Sequence, residues 1–218
     1  MKKLIALCAA VVGLVVAAPA AQASTPYSCP LLVLTAPCDP PLVGTVYGDV
    51  TAADGGYLFN PGGDQTPGYV QVAGSSQIPM STFPITVTVS VKGVGVPSSA
   101  VGDYDVVRGT PGGGWRVEVL AKKRRTIAQA ACFFSGTTGK TFAFGGPDLA
   151  TQQAVWTTIS CTDTGTAVEL RVDGTLVKTV AVATGPIRNP GPMLIGAKDT
   201  NGGDQFSGYA KDVQVTVP

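Results

Sequence analysis

The chain has 218 residues, of which 44% are hydrophobic and 13% are charged, and its formal net charge is +1. This near-neutral balance lacks the overall basic excess that is typical of nucleic-acid-binding proteins. The chain contains no histidine, which excludes the Ser-His and Cys-His pairs that activate a nucleophile.

Residues 1–23 have the pattern of a secretory signal peptide. Lys2 and Lys3 precede an apolar run over residues 4–16, and Ala21-Gln22-Ala23 has the small-x-small form that signal peptidase accepts. A retained membrane anchor is disfavoured, because a spanning helix needs about 20 apolar residues. We therefore expect cleavage after residue 23 and a secreted, extracellular protein with no membrane span after cleavage.

Residues 24–42 form a Pro-rich leader, and we place the domain proper at residues 43–218. Four cysteines remain after cleavage, Cys29, Cys38, Cys132 and Cys161. An even number in an oxidising compartment indicates disulfides, for which three connectivities are possible. Because local pairing orders the least chain, we predict a 29–38 loop in the leader and a 132–161 bridge between strands. A zinc site is disfavoured, since no histidine and no close cysteine pair is present.

Within residues 43–218, hydrophobic residues recur with a period of two. Residues 85–91 alternate isoleucine or valine with threonine or serine, and residues 115–119, 168–173 and 213–217 repeat the alternation. This pattern is typical of strands with one buried face. Gly- and Pro-rich breakers separate the runs, and no segment has a helical period. The sequence therefore predicts an all-β fold, an antiparallel two-sheet jelly-roll sandwich with little or no helix outside the signal peptide.

The sharpest local signal is Asp173-Gly174. Asp-Gly between two alternating runs supplies the positive φ angles that a tight hairpin turn requires. We predict that strands over residues 167–173 and 175–183 pair antiparallel across this turn.

The C-terminal half resembles a known family. It carries, in order, Trp156-x-x-Ile159-x-Cys161, Val168-Glu169-Leu170-Arg171-Val172-Asp173-Gly174, Leu194-Ile195-Gly196 and Phe206-Ser207-Gly208-Tyr209. The order and spacing are similar to the closing half of a laminin G-like or pentraxin-like domain of the concanavalin A-like lectin/glucanase superfamily. Residues 68–72 resemble that family's opening, so the resemblance spans roughly residues 43–217. The predicted Cys132–Cys161 bridge fits it, and we expect Trp156 to fill a large volume between the sheets.

Glycoside hydrolases of this fold use two carboxyl groups held a few ångströms apart. The chain has two glutamates, Glu118 and Glu169, each isolated on the polar side of a different strand. We interpret both as solvated surface charges. A pair of aspartates remains open as an alternative, but the sequence predicts a protein that is not an enzyme.

The resemblance also implies calcium, which laminin G-like domains often bind through aspartates and loop carbonyls. The phrase Gly-Gly-Asp-Gln occurs twice and makes Asp64 and Asp204 the candidate ligands, with Asp199 and Asn201 close to the second. The alternative is that Gly-Gly-Asp forms turns, so no cofactor is certain.

Two further features bear on a binding surface. Lys122-Lys123-Arg124-Arg125 is the only charge run. Its charge density would attract a polyanion. It is also typical of a solvated hairpin end that blocks edge-to-edge strand pairing, and we prefer this second interpretation. Among scattered tyrosines, Tyr57 and Tyr69 flank a Gly-rich loop and are the first candidates for stacking on sugars.

These features predict a secreted, non-catalytic binding module that recognises an extracellular glycan or protein, with a role in adhesion. Two alternatives stay open. A glycoside hydrolase would show two carboxylates converging in a cleft, and a structural or adhesive envelope protein would have no small-ligand site. The short Ala- and Val-rich signal and the lack of an Asn-x-Ser/Thr sequon favour a bacterial origin.

Overall fold

The computed structural model describes residues 26–28, 43–60, 67–98, 102–109, 114–122 and 126–218. The helical structure in these segments consists of two single 3₁₀ turns, Ser75–Gln77 and Leu149–Thr151. Within the same segments, no helix is long and apolar enough to cross a membrane. The all-β prediction is confirmed.

Fifteen strands are found in the described segments, and every pairing between them is antiparallel. In chain order they are β1 (Pro26–Ser28), β2 (Val43–Tyr47), β3 (Val50–Ala53), β4 (Gly56–Phe59), β5 (Tyr69–Ala73), β6 (Ile85–Lys92), β7 (Asp103–Gly109), β8 (Trp115–Lys122), β9 (Ile127–Ser135), β10 (Lys140–Gly145), β11 (Thr157–Asp163), β12 (Ala167–Val172), β13 (Thr175–Ala181), β14 (Met193–Ile195) and β15 (Gly208–Thr216).

The strands form two sheets. The eight-stranded sheet has the order β13-β12-β11-β6-β15-β4-β3, and β1 also pairs with β15. The seven-stranded sheet has the order β10-β9-β8-β7-β14-β5-β2. Each sheet buries its inner face against the other sheet, so the surface of the protein is formed by the outer faces and the loops.

A single large core lies between the sheets. On β6 the four predicted inward positions between Ile85 and Val91 are at most 1% exposed. The inward positions predicted in residues 115–119, 168–173 and 213–217 are buried as well. The largest fully buried side chains include Trp115, Phe59, Phe134 and Phe206. The period of two therefore identified the core face correctly.

The predicted hairpin is present. β12 and β13 pair antiparallel on either side of Asp173 and Gly174, whose φ angles are 49° and 76°. Two successive positive φ angles match the right-handed twist of the flanking strands. β13 ends at Ala181, two residues before the predicted end.

The predicted Cys132–Cys161 disulfide is also present, with an S–S distance of 2.00 Å. Cys132 lies on β9 of the seven-stranded sheet and Cys161 on β11 of the eight-stranded sheet. The bridge therefore crosses the core and ties the two sheets together. Cys29, Cys38 and the predicted signal peptide lie outside the described residues, whereas residues 26–28, assigned to the leader, pair with β15 as β1.

Trp156 does not fill the space between the sheets, contrary to the expectation from the sequence. It is half-buried on the outer face of the eight-stranded sheet, where its ring centroid lies 6.4 Å from that of Tyr209. Thr157 and Ile159 are buried. Trp156 is an even number of residues from Thr158 and Ser160, the outward residues of β11, so it lies on the same outer side of the sheet. Trp115 is the tryptophan that is buried in the core.

Candidate functional site

Two adjacent rows of side chains cross the outer face of the seven-stranded sheet. The first row contains Tyr47, Tyr69, Asp105, Glu118, Ala131 and Phe144. The second contains Thr45, Gln71, Leu194, Arg108, Arg116, Phe133 and Phe142. We call these two rows the cross-strand strip. Since neighbouring strands lie about 4.8 Å apart, the strip extends about 29 Å from β2 to β10.

Aromatic rings occupy both ends of the strip. At the β2 end, Tyr47 and Tyr69 stack with centroids 4.9 Å apart and an interplanar angle of 18°. At the β10 end, the Phe142 ring lies 6.5 Å from Phe133 and 5.9 Å from Phe144. Tyr47 and Phe144 are 42% and 41% exposed. These rings offer flat apolar surfaces to a ligand.

Two arginine–carboxylate pairs fill the middle of the strip. Arg108 Nη1 donates to Asp105 Oδ2 at 2.8 Å, and Arg116 Nε donates to Glu118 Oε1. The Arg116 guanidinium also lies 4.0 Å from the centroid of the Phe133 ring. Asp105 and Glu118 are each 1% exposed, whereas both arginines are partly exposed. The centre of the strip is therefore a buried layer of carboxyl groups partly covered by guanidinium groups.

The carboxyl groups of this centre are under-solvated. Burial raises the pKa of Asp105 to about 6 and the pKa of Glu118 to about 7, although the neighbouring arginines oppose both shifts. Asp105 Oδ1, Glu118 Oε2 and Gln205 Oε1 are buried without a hydrogen-bond partner among the described residues. Buried acceptors without donors are costly, so this centre favours a donor-bearing ligand, water or a bound proton.

Glu118 is thus not the solvated surface charge that the sequence predicts, and that interpretation was wrong. It does point to the outer face of β8, as the alternation requires. However, the register places it opposite Asp105 on β7, and Arg116 bonds to it from the same strand. Glu169 meets the expectation, since it is partly exposed and lies 3.1 Å from Arg171 on β12.

A loop over residues 196–206 docks on β7 beside the carboxyl centre. The Asp105 backbone N–H donates to the Asp204 carbonyl at 2.9 Å, and Asp105 forms an isolated bridge with Gln205. Lys198 Nζ lies 3.0 Å from Asp204 Oδ2. The loop therefore brings one further acid and one base to the edge of the strip.

The described residues do not assemble a calcium shell around Asp204. Its carboxylate is paired with Lys198, and Asp199 Oδ1 accepts the backbone N–H groups of Asn201 and Gly203, which shapes the turn. Within the described segments, no group of three or more His, Cys, Asp or Glu residues is arranged to hold a metal ion. Asp64 lies outside those segments, so its calcium role stays a prediction.

The structure separates the other predicted site residues. Tyr69 lies in the strip, but Tyr57 is on β4 of the other sheet and packs against the core. Lys122 Nζ lies 4.0 Å from the centroid of the Phe144 ring, next to the strip. The rest of the charge run, residues 123–125, falls outside the described residues.

Sequence reasoning missed Asp105, Arg108 and Arg116. A usable signal was present, because Arg116 and Glu118 place opposite charges two residues apart on one strand face of a chain that is only 13% charged. The residues of β7 that lie opposite them, Asp105 and Arg108, are set by the register of the two strands, which the sequence of one strand does not encode.

The two antiparallel sheets, packed face to face over one large core, are those of a jelly-roll sandwich. The model of the family described as the concanavalin A-like lectin/glucanases superfamily matches residues 64–216. The chain therefore belongs to the concanavalin A-like lectin/glucanase superfamily. No curated protein matches it.

Solved structures with this fold include binding domains of bacterial toxins. One concerns the cell entry of botulinum neurotoxin type C, which depends on interaction with two ganglioside molecules. It has a TM-score of 0.63 at 10% identity, and the match covers 88% of this chain and 47% of the neurotoxin chain. The binding domain of botulinum neurotoxin DC in complex with rat synaptotagmin II has a TM-score of 0.60 at 13% identity, with 87% and 47% covered. The binding domain of Paraclostridial Mosquitocidal Protein 1 has a TM-score of 0.61 at 12% identity, with 88% and 48% covered. The chain spans about half the length of these structures, and at such identities the likeness concerns the fold alone.

Proposed function

We propose that this protein is a secreted, non-catalytic binding module that recognises an extracellular glycan through the cross-strand strip. The observation that carries the proposal is the strip itself, with exposed aromatic rings at both ends and a layer of charged donors and acceptors between them. Sugar rings stack on aromatic faces, and sugar hydroxyls bond to charged groups. The exposed ends of the strip, Tyr47 and Phe144, are about 29 Å apart, which is a span of several sugar rings. Arg108 and Arg116 are the partly exposed polar groups between them.

Two further observations support this proposal. Of the three solved structures named above that share the fold, two are described as binding domains, one of them in a complex with a protein, and the third concerns an interaction with gangliosides. The signal-like residues 1–23 and the buried Cys132–Cys161 disulfide are both typical of exported proteins.

The test is a glycan array probed with the labelled protein and with single variants of the two exposed rings, Tyr47→Ala and Phe144→Ala. The matched control is Leu176→Ala, an exposed apolar residue on β13 of the other sheet. Loss of one stacking ring should weaken the glycans that bind by about threefold to tenfold. The control should leave them unchanged. Array signals that survive both ring substitutions would place the glycan elsewhere.

A second candidate function is a glycoside hydrolase, and one observation favours it. Asp105 and Glu118 lie directly opposite each other on β7 and β8, which places their Cβ atoms about 5 Å apart. Burial also raises the pKa of Glu118 to about 7, as a general acid requires. Against this function, each carboxyl group is bonded to an arginine and 1% exposed, so a substrate reaches the pair only if Arg116 moves.

Release of reducing ends from a panel of polysaccharides distinguishes the two functions. A hydrolase would release them in the wild-type protein and lose the activity in Glu118→Gln. A wild-type protein that releases none leaves the binding module as the function. Release that Glu118→Gln does not reduce would show hydrolysis without Glu118 as the general acid and would contradict both candidate functions.

A further inference from the structure

The outer face of the eight-stranded sheet carries a ladder of hydroxyl groups on its two central strands, β6 and β11. Three rungs pair in register, Thr86 with Thr162, Thr88 with Ser160 and Ser90 with Thr158. Their side-chain oxygens are 2.9, 3.4 and 3.0 Å apart. The rungs repeat about every 6.7 Å along the strands. The ladder is therefore a regular array of polar groups without charge, exposed in part along its length, with Ser90 the most buried member at 7% exposure.

Longer side chains border this ladder on both sides. On β15, Lys211 and Gln214 lie opposite β6, and on β12, Glu169 and Arg171 lie opposite β11. All four are partly exposed. Because short side chains occupy the two central strands and these four longer ones lie on the neighbouring strands, the face forms a trough that runs along the strands. At the Thr86 rung the β15 side of the trough is low, since Thr216 lies opposite Thr86. The backbones of its two walls are about 14 Å apart.

One end of the trough is closed by an aromatic and cationic cluster. The rings of Trp156 and Tyr209 meet edge to face, with centroids 6.4 Å apart. Lys92 Nζ lies 4.8 Å from the centroid of Tyr209 and 5.4 Å from that of Trp156. Lys211 Nζ lies 4.5 Å from the centroid of Trp156. The sequence motif that led us to expect Trp156 in the core therefore builds a surface feature instead.

Both ammonium groups of the cluster have exposed carboxylate partners. Lys92 pairs with Asp54, which is 49% exposed, and Lys211 Nζ lies 3.7 Å from Asp212, which is 59% exposed. The aspartates are the exposed members of the two pairs, whereas the Lys92 and Lys211 side chains are 16% and 27% exposed. A carboxylate on a ligand can replace either aspartate, and it would gain the two aromatic rings as neighbours.

We propose that this trough, defined by the three hydroxyl rungs and the Trp156 cluster, is a second binding site and that it takes an extended polysaccharide bearing uronic acid groups. The ladder exchanges hydrogen bonds with sugar hydroxyls, and Lys92 and Lys211 receive a carboxylate. The trough is about 20 Å long from the Thr86 rung to Lys92. It lies on the sheet opposite the cross-strand strip, so one molecule can hold two glycan segments at once.

The test is titration calorimetry of the purified protein with an oligogalacturonate, its methyl ester and inorganic polyphosphate of matched charge. We expect the oligogalacturonate to bind, the neutral ester to bind about tenfold more weakly, and polyphosphate not to compete. If polyphosphate binds as tightly as the oligogalacturonate, the site recognises negative charge alone, which would overturn the proposal. Equal binding of the neutral ester would overturn it as well.

Two variants locate the binding on this face. Lys211→Met keeps the aliphatic stem but removes the charge, and should weaken the oligogalacturonate about threefold to tenfold without affecting the ester. The pair Thr88→Val with Ser160→Val removes both members of one rung, so that neither is left without a partner, and should weaken both sugars.

Lys178→Met is the control, because Lys178 is an exposed lysine on β13 of the same sheet. Phe144→Ala reports separately on the cross-strand strip, where the first glycan site is proposed. If Lys211→Met binds like the wild type, the trough is not the site. If Phe144→Ala alone abolishes binding, the polysaccharide lies on the strip, which refutes this site while supporting the proposed function.

Discussion

Substitution of Glu118 by glutamine should flatten the dependence of stability on pH. Burial raises the pKa of Glu118 from its ordinary 4.5 to about 7. The folded protein therefore holds this proton more tightly than the unfolded chain does. The stability that comes from the proton is fully present below about pH 4.5 and is lost as the pH rises towards 7.

The magnitude follows from the size of the shift. A difference of about 2.5 pKa units at 1.36 kcal/mol per unit is about 3 kcal/mol of unfolding free energy, lost between roughly pH 4.5 and pH 7. Asp105, whose pKa burial raises from 3.8 to about 6, contributes in the same direction at slightly lower pH. Glu118→Gln should remove the part of this pH-dependent loss of stability that comes from Glu118 and keep the part that comes from Asp105.

Urea unfolding at pH 5, 6, 7 and 8 measures the effect. In the wild type the free energy of unfolding should fall with rising pH by up to about 1.4 kcal/mol per unit for each such proton. The variant should fall less steeply between pH 5 and 7. The control is Glu169→Gln, which changes the other glutamate of the chain, on the partly exposed face of β12. If the unfolding free energy of Glu118→Gln falls with pH as steeply as that of the wild type, burial does not raise the pKa of Glu118.

Three further predictions concern the core and the turn. Replacing Cys132 and Cys161 together by alanine should lower the free energy of unfolding by about 3–4 kcal/mol, because the bridge closes a loop of sequence separation 29; a loss below about 1 kcal/mol in urea would contradict this. Gly174→Val should lower the free energy of unfolding by about 1–2 kcal/mol, because Gly174 has a φ of 76° and a β-branched side chain is strained at that angle. The melting temperature should fall accordingly, and an unchanged value would argue against the turn. Trp115→Ala should cost about 3–5 kcal/mol, and Trp156→Ala should cost clearly less in the same urea series, because only Trp115 is fully buried; equal losses would contradict the placement of the two rings.

Much of the architecture could be read from residues that are neighbours in the chain. The alternation in residues 85–91 identified a strand and its inward face, because successive side chains of a strand point to opposite sides. Asp173-Gly174 identified a turn, because its two residues alone must adopt positive φ angles. The Cys132–Cys161 bridge was also predicted, although the sequence did not show that it would join the two sheets across the core.

The candidate sites depended on contacts between distant segments. Glu118 points outward both in the sequence pattern and in the structure, yet the surrounding fold buries it. This burial is the main cause of its raised pKa, and Asp105 opposite it on β7 adds to the rise. The carboxyl centre also includes Gln205, which only the docking of the 196–206 loop brings to β7.

Trp156 shows the same division between sequence and tertiary structure. Its neighbours in the chain favoured the interior, but the packing of the sheets gave that space to Trp115 and left Trp156 beside Lys92 and Tyr209. Period and turn chemistry are local properties, so the sequence by itself determined the class of fold, the strands and the buried faces. Register and sheet packing are global, because a shift of one residue in a strand moves every side chain to the other face. Only the tertiary structure could therefore decide which polar and aromatic residues meet.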